Sequence, residues 1–186
     1  DDDDVDLTGA TVTISNGLTS DDALAFTAQA GITGGYNAGS GVLTLGGSAT
    51  VAQYQAVLAS VTYASSSQDP TVNETQTSRT ISWTVTDADS DGAGAATTTA
   101  TSTINITAVN DDPTATGVPA VLTVTEDMAS HLDLSAITLA DPDSTTNNIT
   151  VKLAVSGGGL AVSAGGGVTV AGSDSDHLTL TGQVSN

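Results

Sequence analysis

Alternation with a period of two dominates this chain. Ala10–Ser15 (ATVTIS), Arg79–Asp87 (RTISWTVTD), Thr101–Val109 (TSTINITAV) and Val121–Glu126 (VLTVTE) place Val, Ile, Leu or Trp at every second position, with Thr and Ser between. His131–Leu139, Asn148–Val155 and His177–Thr181 do the same. Successive side chains of an extended strand point to opposite faces, so this pattern suits half-buried antiparallel strands and little else. Tyr36–Leu45 predicts a hairpin with glycine in the turn. The glycine-rich stretches Ser156–Gly159 and Ala164–Gly167 predict turns.

One segment departs from the alternation. Thr50–Ser60 (TVAQYQAVLAS) has apolar residues at 51, 54, 57 and 58, a helical spacing. Thr50 is a suitable N-cap and Gln53, three residues on, completes a capping box. A short helix is therefore expected inside an all-β chain.

Hydrophobic residues make up 38% of the 186 residues but aromatics only 3%, so the core is thin and needs help from elsewhere. No cysteine is present to staple it. The charge suggests another source of help. There are 21 acidic residues against 2 basic ones, for a net charge of −19, and all but Glu74 and Glu126 of the acids are Asp. A chain so acidic has no means of neutralising phosphates, which excludes nucleic acid, and an anionic membrane surface would repel it. No apolar run is long enough to insert into a membrane.

The acids are clustered: Asp1, Asp2, Asp3 and Asp4; Asp87, Asp89 and Asp91; Asp111 and Asp112; Glu126 and Asp127; Asp141 and Asp143. Asp69 and Glu74 lie in the loop 65–78. Short carboxylates in loops ligate hard cations, and Ca²⁺ requires six to eight oxygens, more than any one cluster provides. Clusters from different loops must then converge; solvated loop acids are the plainer alternative. Asp87–Gly92 (DADSDG) begins like an EF-hand loop but lacks the final Glu.

A boundary is expected at Val109-Asn110-Asp111-Asp112-Pro113, giving domains 1–109 and 110–186. The two halves share an offset repeat. Gly9–Ser15 resembles Asn148–Ala154, an offset of 139, and Val42–Leu45 resembles His177–Leu180, an offset of 135. The opening Asp run aligns with Asp141–Ser144. On that alignment the chain spans about one and a third periods, the first domain lacking its first strands and the second its C-terminal ones.

The segments VNDDP (109–113), TVTED (123–127), LDLSAITLADPDS (132–144) and ISWTVTDAD (81–89) resemble bacterial cadherin-like repeats, which stand in tandem in large calcium-dependent RTX-type adhesins. The resemblance implies tandem Greek-key, cadherin- or Ig-like β-sandwiches with Ca²⁺ at the junctions. It implies metal-ligand roles for Asp141 and Asp143, for the linker residues Asn110, Asp111 and Asp112, for Asp87 and Asp89 at a strand end, and for Glu126. Asp69 and Glu74 fall where a mid-domain acidic motif would. By the same resemblance Asp1–Asp4 and Asp87–Asp91 meet at the far end of the first domain. Asp69 and Glu74 meet the 110–112 and 141–143 acids at the junction, and Glu126 and Asp127 face a following junction.

Enzymatic activity is not expected. His131 and His177, the two histidines, have no nucleophile or base pattern around them, and no G-x-S-x-G motif occurs. Trp83, Tyr36, Tyr54 and Tyr63 read as core or strand residues, and Lys152 as the lone lysine. The expectation is a secreted, calcium-stiffened spacer of a bacterial surface adhesin whose partners are neighbouring repeats. The alternatives are a calcium-dependent sugar- or peptide-binding module, and a filament subunit completed by strands from a neighbouring chain.

Overall fold

The computed structural model describes residues 6–89, 92, 94–143, 148–163 and 165–183. The chain is predominantly β, with antiparallel sheets and one helix among the described residues. It divides into two compact units, Asp1–Ala108 and Val109–Asn186.

The first unit contains β1 (Asp6–Asn16), β2 (Asp22–Ala25), β3 (Thr33–Asn37), β4 (Val42–Thr50), α1 (Val51–Ala59), β5 (Thr62–Ser65), β6 (Ser78–Asp87) and β7 (Thr97–Asn105). Five strands form one sheet in the order β3-β4-β1-β6-β7, and β2 pairs with β5 in a separate ribbon. The alternation predicted from sequence explains the burial. Ala10, Val12 and Ile14 of β1, Leu43 and Leu45 of β4 and Ile81 of β6 are all buried. Their register puts them in rows across the sheet, with Val12 opposite both Leu43 and Trp83, and Ile14 opposite Ile81. Leu24 of the ribbon and Tyr54 and Val57 of the helix complete the same core.

The helix begins as its sequence dictates. The Thr50 side chain accepts a hydrogen bond from the Gln53 N–H, and the Gln53 side chain accepts one from the Thr50 N–H at 2.9 Å. The Tyr54 hydroxyl donates to the carbonyl of Gly47 at 2.7 Å, tying the helix to β4.

The second unit contains β8 (Thr114–Thr116), β9 (Thr138–Ala140), β10 (Asn148–Ala154), β11 (Thr169–Ala171) and β12 (His177–Gln183). β8 pairs with β9, and the other three form a sheet in the order β10-β12-β11. Two sequence expectations shift here. The strand predicted at 101–109 lies at 97–105 instead, held by its ladder with β6. Val121–Glu126 is not a strand, and of His131–Leu139 only the end joins β9; alternation makes a strand only where a partner ladder exists.

The internal duplication is visible in the topology. β3-β4-β1 and β11-β12-β10 have the same order and the same antiparallel pairing. The Ile14 N–H donates to the Gly41 carbonyl at 2.9 Å, and the Val155 N–H to the Asp176 carbonyl at 3.0 Å. Ile32 N–H to Gln29 carbonyl and Val168 N–H to Gly165 carbonyl are both 3.0 Å. Gly17 and Gly158, at matching places after the first strand of each set, have φ of 79° and 87°, which only glycine adopts freely. The buried Leu178 stands where Leu43 stands in the first unit. Leu43 faces Val12, whereas Leu178 faces Leu153. The first strands therefore match at an offset of 141 (153 minus 12) rather than the 139 of the sequence alignment. A slip of two keeps every side chain on its face, so alternation alone does not resolve it.

Candidate metal centre

Strand pairing decides which acids meet. β8 and β9 are antiparallel with Thr114 opposite Ala140, so the residues just before β8 and just after β9 leave the ribbon at the same end. Asp111 and Asp143 meet there, the Asp111 N–H donating to Asp143 Oδ2. The Asp143 N–H in turn donates to Asp141 Oδ1 at 3.2 Å. Asp143 Oδ1 is buried and accepts no hydrogen bond among the described residues. Buried carboxylate oxygens are ordinarily hydrogen-bonded or bound to a cation. The donors are hard oxygens, which suits Ca²⁺. Among the described residues, however, no three acids or histidines are grouped as a metal shell, so the six to eight oxygens that Ca²⁺ requires are not gathered here. Asn110, whose side chain donates to the Asp111 carbonyl, and Asp112 are exposed beside this corner.

In the first unit, the start of β1 and the end of β6 are neighbours, with Leu7 opposite Asp87. The Ala88 N–H donates to the Asp6 carbonyl at 3.1 Å, so Asp6, Asp87 and Asp89 occupy one end of the unit. Two carboxylate oxygens there shape the turn between β6 and β7: Asp87 Oδ1 accepts from Ala96 N–H and Asp89 Oδ1 from Gly94 N–H, both at 2.7 Å. Asp1, Asp2, Asp3, Asp4 and Asp91 lie outside the described residues, as does Ala164 of the predicted glycine-rich turn. Glu126 and Asp127 stand on an exposed turn, with Asp127 at φ 58°.

Asp69 has a local task that the sequence did not reveal. Its Oδ1 accepts from the Thr71 hydroxyl at 3.2 Å and its Oδ2 from the Asn73 N–H at 2.7 Å. These bonds hold a left-handed turn in which Val72, Asn73 and Glu74 all have positive φ (49°, 53° and 62°). Glu74 itself is exposed.

The strongest electrostatic feature escaped the sequence analysis altogether. Asp22 and Arg79 form a buried ion pair, Nε to Oδ2 at 2.6 Å, with both side chains fully excluded from solvent. The Tyr63 hydroxyl donates to Asp22 Oδ1 at 2.7 Å, the Thr19 N–H to Oδ2 at 2.9 Å and the Tyr36 hydroxyl to the Asp22 carbonyl at 3.0 Å. Arg79 also donates to the carbonyls of Pro70 at 2.8 Å and Gln76 at 3.1 Å, gripping both ends of the left-handed turn. Burial by itself would raise Asp22, but the hydrogen bonds from Arg79, Tyr63 and Thr19 prevail and hold its carboxyl below the usual range. Burial, reinforced by the bond to Asp22, pushes the Tyr63 phenol up to about 12. A signal was available: in Arg79-x-Ile81-x-Trp83-x-Val85 the arginine occupies the inward phase of the strand.

His131 and His177 are both exposed, and His177 lies beside Asp176 at 2.9 Å. Among the described residues no helix is long and apolar enough to cross a membrane. Compared with known proteins, the chain matches no family model, no curated relative and no solved structure.

Proposed function

We propose that this chain is a calcium-stabilised extender of a secreted bacterial cell-surface adhesin, built of cadherin-like Greek-key repeats and without catalytic activity. The corner formed by Asp111, Asp141 and Asp143 carries the proposal, because Asp143 Oδ1 is buried there without a hydrogen-bond donor among the described residues. The duplicated three-strand frame supports a repeat, and the resemblance noted above supplies the setting. Ca²⁺ would draw these carboxylates together and offset the repulsion within a chain of net charge −19. A stiffened repeat extends in proportion to repeat number, whereas a flexible chain gains reach only as the square root of its length.

Thermal unfolding in Ca²⁺ and in excess chelator tests this. A ligand that binds only the folded state at a hundredfold excess over its Kd adds about 2.7 kcal/mol, a shift of several degrees. We expect Ca²⁺ to raise the Tm and Asp143→Asn to remove most of the rise. Equal melting in Ca²⁺ and chelator would refute the calcium role.

A further inference from the structure

Asn16 ends β1, and Gly17 follows it at φ 79°. This is the one Asn-Gly pair in the sequence. Asn16 is exposed, and its side chain makes no hydrogen bond among the described residues. The Gly17 N–H donates to none of them either. A free side-chain amide is therefore followed by a free backbone nitrogen, with no Cβ on the glycine to hinder their approach.

The other described asparagines are placed differently. Asn37 Oδ1 accepts from the N–H groups of Gly39 at 3.0 Å and Ser40 at 3.3 Å. After Asn73, the Glu74 N–H is engaged, donating to Thr71 Oγ1 at 3.3 Å. The Asn110 side chain donates to the Asp111 carbonyl at 3.0 Å. Asn105 and Asn148 are each followed by β-branched Ile. At the place in the second unit that matches Asn16, Gly157 precedes Gly158 and no amide is present.

We propose that Asn16 is a self-modifying site: it converts spontaneously to isoaspartate in the folded chain, and the longer backbone so formed loosens the first unit. The Gly17 nitrogen gives up its proton to solvent base and attacks Asn16 Cγ. Ammonia leaves with the side-chain nitrogen, and a cyclic imide closes between the two residues. Water then opens the ring. Opening at the side-chain carbonyl gives aspartate. Opening at the backbone carbonyl gives isoaspartate, whose main chain runs through the former side chain and gains a methylene. Water is consumed, ammonia is released, and nothing is oxidised or reduced.

The fold has no room for the longer chain. A Cβ at Gly17 would lie 2.7 Å from the Ser78 carbonyl oxygen and 3.2 Å from Arg79 Cδ, so the backbone there is packed against the buried arginine. On one side Asn16 pairs with Thr80 of β6; on the other the Thr19 N–H donates to Asp22 Oδ2 at 2.9 Å. An inserted methylene must displace one of these contacts, and each borders the Asp22–Arg79 pair. The inference is independent of the calcium proposal.

The test incubates the full chain in mildly alkaline buffer, folded and in urea, and follows every asparagine by peptide mass spectrometry and isoaspartate-specific methyl transfer. We expect Asn16 to convert first in the folded chain, at a rate close to that in urea, and Asn16→Gln to abolish this early phase. The isoaspartate-rich fraction, resolved from the parent by its added negative charge, should have a lower Tm. Freshly prepared Asn16→Asp has the charge without the methylene and should melt with the parent. Conversion of Asn16 in urea alone overturns the proposal, as does another asparagine leading in the folded chain. So does an isoaspartyl fraction that melts with the parent, or an Asn16→Asp chain that falls equally.

Discussion

Asp22 and Arg79 exemplify a charge pair that is costly to break. Removing one partner of a buried pair leaves the other unsolvated, a loss of about 3–5 kcal/mol. Asp22→Ala should lower the unfolding free energy of the first unit by that amount in urea titration. Tyr63→Phe removes only a donor to the carboxylate and should cost about 2 kcal/mol. The pH dependence follows from the same node. The Tyr63 phenol is raised from 10 to about 12 in the folded state, so the fold favours its protonated form. That stability is complete below pH 10 and is lost as pH rises through 12. Tyr36 and Tyr54, raised by burial, contribute in the alkaline range too. Melting between pH 9 and pH 12 should thus fall less steeply in Tyr63→Phe than in the parent chain. Asp22 acts at the other extreme: its lowered carboxyl stabilises the fold above its ordinary 3.8, and this is lost as pH falls through the lower folded value.

Among the elements, the helix was legible to within a residue because its signals are local. Thr50 and Gln53 cap it, and Tyr54 and Val57 face inward. Thr50→Ala should cost about 1 kcal/mol, measurable as a lower Tm. Strand phase was equally legible, since Val12, Leu43 and Ile81 sit on the buried face that alternation assigns them. Register and pairing were not. Sequence alignment paired the first strands at 139 instead of 141, and it gave Val121–Glu126 a ladder it does not have. Both depend on partners distant in sequence. The left-handed turn at Val72–Glu74 was also hidden, because it contains no glycine and rests on Asp69 and Arg79. Val72 is 39% exposed, and a β-branched residue at φ 49° is strained by about 1–2 kcal/mol. Val72→Asn should therefore stabilise the first unit by roughly 1 kcal/mol in urea titration, since asparagine tolerates this conformation.

At the scale of the molecule, the acid clusters were legible as clusters but not as a site. Asp111 and Asp143 meet because β8 and β9 are antiparallel, a relation between segments 32 residues apart. The buried Arg79 has one further consequence, which concerns digestion. Trypsin cuts only after lysine or arginine, and this sequence contains one of each. Lys152 is exposed on β10, whereas Arg79 is sealed in the core with its guanidinium held at both ends of a turn. The bond after Arg79 becomes accessible only when the first unit opens, so its cleavage rate measures that opening. Limited trypsin should leave residues 1–152 as a long-lived fragment, and Asp22→Ala should shorten its lifetime. Against proteases that cut after basic residues, a surface nearly without them is itself a form of durability.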